Sequence, residues 1–183
     1  MNKIISKKAL TKSVSQMDIY APAILKHAKA GQFVMLRIDE NSERIPLTIA
    51  DMDHKKGLVT IIYQVVGLTT YKLDQLQVGD SILDFLGPLG RPTEIEGFKK
   101  VCVIGGGVGC AIAYPISKGL NELDVKVDAI IGFKSKEEMI LNKSFEAITN
   151  KLYISTDDGS FGTKGFVTDI LNKLLKDGES YDH

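Results

Sequence analysis

The sequence predicts two domains of different class: an antiparallel β-barrel, followed by a partial α/β domain built on a parallel sheet. Three observations carry this. Short apolar runs separated by turn residues fill positions 1–97. From position 98 to 183, apolar strands alternate with helical patterns. A glycine-rich turn, Gly105-Gly106-Gly107-Val108-Gly109, stands where the first apolar strand of the second half gives way to a helix.

In the first half, Ile4-Ile5 and Ser13–Ile19 are short candidate strands, and Gly31–Ile38 alternates well enough for a half-buried one. Ile45–Ala50 follows, then a polar turn over Asp51–Gly57 and a β-branched run, Leu58–Val66. Thr70–Leu76 suggests one short helix, and Ser81–Leu86 another strand, ended by Gly87-Pro88-Leu89-Gly90-Arg91-Pro92. In the second half, Lys99–Ile104, Val125–Phe133 and Leu152–Ser155 read as buried strands. Between and after them, Cys110–Leu123 (interrupted by Pro115), Lys136–Thr149 and Phe166–Lys176 have helical spacing. Three strands leave the edge of the first one bare, which is a liability. Either the α/β domain is truncated at its C-terminus, or something else covers that edge.

Bulk properties bound the function. The chain has 183 residues, 44% hydrophobic and 25% charged, with 23 basic against 23 acidic side chains. This neutral balance gives no pull toward nucleic acid or an anionic membrane. No apolar run approaches the roughly 20 residues of a membrane span. The lysines of the first eight residues are followed by no apolar signal core, which favours the cytoplasm. Two cysteines, Cys102 and Cys110, exclude a disulfide framework and fall short of an all-cysteine iron–sulfur set. His27, His54 and His183 lack metal-ligand spacing, so the expected metal site is none.

Four segments carry chemistry. In the glycine turn, Gly105, Gly106, Gly107 and Gly109 let the backbone bend sharply, and the helix after it offers N–H groups and a positive dipole end to a pyrophosphate. Ile112 stands where the usual dinucleotide fingerprint has its last glycine, so a tight strand-to-helix turn without a ligand remains an alternative. In Arg44-Ile45-Pro46-Leu47-Thr48, the Arg suits a pyrophosphate, Pro46 stiffens the segment and Leu47 offers an apolar shelf. The Thr48 hydroxyl can donate to or accept from a flavin ring nitrogen. Plain surface residues are the alternative there. Gly67-Leu68-Thr69-Thr70 opens a helix, where Thr69 or Thr70 suits a cap and the free N–H groups suit a phosphate. Thr156–Gly165 is rich in Gly and Asp at the end of a parallel strand, the edge at which ligands bind, with a solvated connection as the alternative. Cys110, at a helix start, reads as a small packing residue rather than a nucleophile.

Taken in order, Gly31-Gln32-Phe33-Val34, Arg44–Thr48, Gly67–Thr70, Gly87-Pro88-Leu89-Gly90, Gly105–Gly109 and Thr156–Ser160 resemble the ferredoxin–NADP reductase superfamily. The likeness is to the FAD-containing small subunit of NADH-dependent ferredoxin:NADP oxidoreductase, also called sulfide dehydrogenase, with the dihydroorotate dehydrogenase electron-transfer subunit a near relative. The resemblance implies a six-stranded flavin barrel and a nicotinamide-binding domain. It implies FAD held by Arg44, Pro46, Leu47 and Thr48, lined by Tyr63 and Gln64, with Gly67, Thr69 and Thr70 near its pyrophosphate. Thr48, beside flavin N5, is the one candidate for a direct catalytic effect. Gly106, Gly107, Val108 and Gly109 would face the NAD(P) phosphates, and Gly132, Phe133, Lys134, Asp157 and Gly159 its ribose. Relatives continue into a segment that binds a [2Fe–2S] cluster, whose ligands this chain lacks. The implied activity is hydride exchange between nicotinamide and flavin, with electrons passed to a larger flavoprotein or dehydrogenase partner subunit and indirectly to ferredoxin. A flavin-binding protein without turnover is the rival reading of another class.

Overall fold

The computed structural model describes residues 2–183. The chain divides into two compact units, the first ending at Thr93 and the second beginning at Glu94. The sequence pattern placed the change near 97. Ile95 and Phe98 pack against Val101, Leu120, Val125 and Val127, which draws the segment before the strand into the second unit.

The first unit holds eight strand segments: β1 (Asn2–Ala9), β2 (Val14–Tyr20), β3 (Phe33–Arg37), β4 (Ile45–Thr48), β5 (Asp51–Asp53), β6 (Leu58–Gln64), β7 (Ser81–Ile82) and β8 (Asp84–Leu89). One sheet runs β5-β6-β2-β1-β7 and the other β4-β3-β8. Two strands bend from one sheet into the other. After β4, Ile49 and Ala50 carry the chain into β5, and Leu83 alone separates β7 from β8. Counting each bent pair once gives six strands, and the order β6-β2-β1-β7/β8-β3-β4/β5 returns to β6. The barrel is therefore closed, which removes the sheet edges. Ile4, Met17, Ile19, Val34, Leu36, Ile49, Val59 and Ile61 fill its interior.

The expected polar turn at Asp51–Gly57 is shorter than its composition suggests. Asp51–Asp53 is strand, because the Ala50 N–H already pairs with the Thr60 carbonyl (2.8 Å) and Met52 leans on the core. The turn itself is closed by the Asp53 carboxylate, which accepts the Lys56 N–H (2.9 Å), and by Gly57 at φ +73°. Two helices lie against the barrel: a single turn, α1 (Pro22–Leu25), which the sequence pattern did not show, and α2 (Leu68–Gln75).

The second unit holds β9 (Lys100–Gly106), α3 (Cys110–Glu122), β10 (Lys126–Phe133), α4 (Asn142–Glu146), β11 (Lys151–Thr156), β12 (Thr163–Lys164) and α5 (Val167–Lys176). The sheet is parallel, in the order β12-β11-β10-β9. α3 packs Leu120 and Ile116 on one face of it, and α5 packs Ile170 and Leu174 on the other. α3 runs through Pro115 without ending. The expected helix over 136–149 is broken into a short 3₁₀ turn at Lys136–Glu138 and α4. Leu141 takes a left-handed conformation (φ 59°) between them, which lets both Ile140 and Phe145 turn inward. The two-residue β12, absent from the sequence reading, covers the outer edge of β11.

The outer edge of β9 is covered by the last residues of the chain. The Asp182 N–H donates to the Lys100 carbonyl (2.8 Å), and the Cys102 N–H donates to the His183 carbonyl (3.1 Å). The Asp182 carboxylate accepts the N–H groups of Lys99 (2.6 Å) and Lys100 (2.8 Å). Tyr181 donates its hydroxyl to the wholly buried Asp128 (3.2 Å), which also accepts from Asn150 (2.8 Å). Glu179 bonds Lys100 and Lys151, and the His183 ring stacks on Phe98 at 5.4 Å. The three-strand pattern left this edge bare or covered by something else; its amino-terminal half is paired with residues 182–183.

Two outcomes follow. Asp182→Ala is expected to speed amide exchange at Lys99 and Lys100 while barrel amides keep their rates; unchanged exchange there would mean that the tail does not protect the edge. Hydrogen bonds from Lys100, then Lys151, hold the Glu179 carboxyl at about 2 against an ordinary 4.5. A depressed folded value stabilises above the unfolded one and is lost as pH falls through the folded one. The stability difference between wild type and Glu179→Gln is therefore expected to be constant above about pH 4.5 and to close toward pH 2. Acid titrations of the two proteins followed by circular dichroism check this.

Candidate functional site

Strand parity decides which motif residues of the barrel face outward. Along β4 and the residue on either side of it, Arg44, Pro46 and Thr48 share one side, and Ile45, Leu47 and Ile49 share the other. Ile45 and Leu47 pack against the barrel interior and Ile49 lies within it. The expected apolar shelf at Leu47 is thus turned to the core, and Pro46, which is exposed, is the apolar surface between Arg44 and Thr48. Arg44 is half exposed, and its Nη2 donates to Asp84 Oδ2 at 3.0 Å. Arg37 Nε donates to the same oxygen at 2.7 Å. Two guanidinium groups therefore share one carboxylate on the β4-β3-β8 sheet. Neither Arg37 nor Asp84 was singled out from sequence. Their pairing follows from the β3–β8 register, Arg37↔Asp84, which spacing along the chain does not reveal.

The same parity corrects the reading of β6. Tyr63 is 1% exposed, inside the barrel, and its hydroxyl donates to Asp74 Oδ1 at 3.1 Å. Burial, with Asp74 beside it, pushes the phenol well above its ordinary range, so it stays protonated and donating. Tyr63 is a core residue, and Gln64 is the exposed one of the pair. Beyond β6 the chain reaches the first turn of α2. Thr70 Oγ1 accepts the N–H groups of Val66 and Gly67 (3.1 Å each), so Thr70 is the capping residue. A β-carbon on Gly67 would meet nothing within 4 Å, so this turn is open to the outside.

In the second unit, the glycine turn separates into structural and open positions. A β-carbon on Gly105 would lie 3.1 Å from Cys110 Sγ and 3.2 Å from the Ala113 β-carbon, so Gly105 is where α3 closes on the sheet. At Gly106, Gly107 and Gly109 the same atom would meet nothing within 4 Å, and Gly107 needs its glycine for a φ of +52°. Val108 is partly exposed between them. Gly107, Val108 and Gly109 form a 3₁₀ turn that leads from the carboxyl end of β9 into α3.

The neighbouring loops are tied together at that edge. The Asp157 N–H donates to the Phe133 carbonyl (3.0 Å) and the Asp158 N–H to the Lys134 carbonyl (3.2 Å). Asp158 is occupied by Ser160, whose hydroxyl (2.6 Å) and N–H (2.9 Å) hold its carboxyl below the usual range. Asp157, Gly159 and Lys134 are exposed. Phe133 is 4% exposed and offers only its backbone, and Gly132 lies under Val167 of α5, 2.5 Å from where its β-carbon would be. These two are packing positions rather than ligand contacts. Cys110 is wholly buried and its thiol is pushed up to about 12 by burial; half-buried Cys102 is raised to about 11 by burial and Asp128. Among the described residues no three His, Cys, Asp or Glu side chains are grouped to hold a metal ion, and no helix is long and apolar enough to cross a membrane.

This geometry has known counterparts. The chain is 33% identical over 187 residues to the electron transfer subunit of dihydroorotate dehydrogenase B (NAD(+)) from Enterococcus faecalis, covering 100% of this chain and 70% of that one. The chain belongs to the family of dihydroorotate dehydrogenase electron transfer subunits. A Thermotoga maritima homologue of that subunit is 42% identical over 177 residues, covering 97% of this chain and 62% of its own length. The solved structure of an NADH-dependent reduced ferredoxin-NADP oxidoreductase superposes with a TM-score of 0.92 at 41% identity, over 100% of this chain and 65% of that one. The chain thus spans less than two thirds of the length of several relatives it matches. A ferredoxin reductase from carbazole 1,9a-dioxygenase shares the fold at a TM-score of 0.76 and 18% identity. No protein-family model matches the sequence. Membership of the electron transfer subunit family and the ferredoxin reductase-like two-domain fold agree with the resemblance drawn from the motifs.

The thiol environments give a direct check. At pH 8 each thiol is at most roughly one part in a thousand thiolate, given values of about 11 and about 12. Native protein is expected to react slowly with a disulfide reagent at Cys102 and not at all at Cys110 until denatured; rapid labelling of Cys110 would contradict the burial.

Proposed function

We propose that the chain is the flavin- and nicotinamide-binding portion of an electron-transfer subunit, receiving reducing equivalents from NAD(P)H and passing them to a partner subunit. The observation that carries this is the outward face of β4. Arg44, Pro46 and Thr48 project from a closed barrel, and the first positions of α2 lie open on the same unit. FAD fits these groups. Arg44, already drawn to an anion at Asp84, would bond its pyrophosphate together with the first-turn N–H groups of α2 near Thr69 and Thr70. Pro46 would lie against the ring system, Gln64 would line it, and the Thr48 hydroxyl would bond at its edge beside N5. In the second unit, Gly106, Gly107, Val108 and Gly109 would cradle the nicotinamide dinucleotide's phosphates, with Asp157 and Gly159 toward its ribose. Bound flavin supplies the chemistry, accepting a hydride and releasing electrons singly. The side chains bind and orient, and no acid or base among them is required.

Names of the relatives support two partner assignments. The ferredoxin-NADP oxidoreductase is matched over the whole of this chain, and the dihydroorotate dehydrogenase subunits are the family itself. Both names support a larger partner subunit, and we place the pair in the cytoplasm. Leu47-Thr48 and the Asp157-Asp158-Gly159-Ser160 loop favour the ferredoxin-linked branch. An iron–sulfur cluster does not fit the chain, because two thiols fall short of four and Cys110 is sealed in the core.

The test is the visible spectrum of the protein with FAD, before and after anaerobic NADH or NADPH. Flavin absorbance that bleaches is expected. Flavin that binds but does not bleach would favour a binding protein without turnover, and failure to take up FAD would sink the proposal. Arg44→Ala is expected to weaken FAD by the roughly 1.5–3 kcal/mol of a charged hydrogen bond, about ten- to a hundredfold in affinity. Unchanged affinity would remove Arg44 from the site.

A further inference from the structure

Tyr63 leads to a residue that no motif flags. Asp74, near the end of α2, gathers donors from three adjacent barrel strands. Its Oδ1 accepts from Ser15 Oγ of β2 at 2.7 Å and from the Tyr63 hydroxyl of β6 at 3.1 Å. Ser15 and Tyr63 are register partners, so the two donors stand side by side. Lys7 of β1 lies 3.5 Å from the same oxygen, and its ammonium also bonds the carbonyls of Asp74 and Leu76 (the latter at 3.2 Å) at the end of the helix.

α2 needs such an anchor. It has eight residues, a length at which a helix is not stable by itself. Leu73 is its one buried residue, while Leu68 and Tyr71 are exposed, so apolar burial holds it at a single point. A single plug leaves the helix free to swing about it. The polar network beside Leu73 removes that freedom, and the Lys7 ammonium at the C-terminal end is placed where the helix dipole favours a cation. What the anchor fixes is the opposite end. There Thr70 has taken the Val66 and Gly67 N–H groups, and the first-turn N–H groups of Leu68 and Thr69 have no acceptor within the helix.

We propose that Asp74 is a positioning residue for dinucleotide binding: by locking α2 to β1, β2 and β6 it holds the first turn of the helix ready for the pyrophosphate of FAD. This rests on the flavin reading given above. Asp74 itself touches no ligand. Its effect is preorganisation, which spares the ligand the cost of ordering the helix on binding.

The role separates from plain stabilisation by comparing two flavins. FAD carries the pyrophosphate and riboflavin does not. In fluorescence titrations, Asp74→Ala is expected to lose on the order of tenfold in FAD affinity while riboflavin affinity holds. Asp74→Asn, which keeps an oxygen acceptor for Ser15 and Tyr63, is expected to recover most of it. Ser15→Ala, which removes one of the donors to Asp74, is expected to show a smaller loss in the same direction if Asp74→Ala proves too unstable to measure. Equal losses for both flavins, or no loss for either, would overturn the positioning role. Wild-type protein that takes up no FAD would instead overturn the flavin reading itself.

Discussion

The second unit depends on the backbone pairing of β9, which carries the glycine turn and sets the start of α3. It pairs with β10 on one side and bonds the backbone of Asp182 and His183 on the other. Backbone groups left without partners there cost as much as lost hydrogen bonds. The chain meets this by bringing Tyr181, Asp182 and His183 along the amino-terminal half of that edge. Asp182 satisfies two N–H groups with one carboxylate, and Tyr181 and Lys100 converge on the buried Asp128. These contacts hold the start of β9, and α3 closes on its other end at Gly105, just before the glycine turn.

The barrel meets the same constraint differently. It bends β4 into β5 and β7 into β8 and so closes on itself. Closure costs nothing in exposed edges, but it allots each strand residue to the inside or the outside with no intermediate choice. A short helix cannot share in that closure. It is tied on by a carboxylate, Asp74, which finds its donors because β1, β2 and β6 are neighbours. In both units, then, a polar side chain drawn from one element to the ends of several others does what hydrophobic contact along a short segment cannot do.

The architecture was legible in the sequence because it rests on periodicity. Alternation and turn residues marked the strands of the barrel, and the change at about Gly97 marked the α/β unit. What failed depended on contacts distant in the chain. The run Lys136–Thr149 has helix-forming residues, but Ile140 and Phe145 are both drawn into the core, and Leu141 turns left-handed to allow it. β12 is two residues long and exists through its pairing with β11. Asp51–Asp53 reads as turn by composition and is strand because β6 lies beside it. The candidate site shows the same division. The glycine turn was found through residue types that a sharp bend requires. Asp84 and Asp74 were not found, because an acid paired across a sheet leaves no mark on local spacing.

Parity settles the last question about the β4 motif. Family resemblance treats Arg44, Pro46, Leu47 and Thr48 as one block, but a strand presents every second residue. With Leu47 turned inward, the outer face of this segment carries Arg44, Pro46 and Thr48, with Met35 and Phe33 as the cross-strand partners of the last two. The Pro46 ring is already fixed in an extended backbone. Thr48 is the last outward position before Ile49 and Ala50, both essentially buried, carry the strand over the rim into the second sheet. A hydroxyl at that point is bounded by the barrel on one side and solvent on the other. It is held by strand pairing with Phe33 rather than by a loop. The outward row therefore runs from a guanidinium at Arg44, over the Pro46 ring, to a half-buried hydroxyl at Thr48.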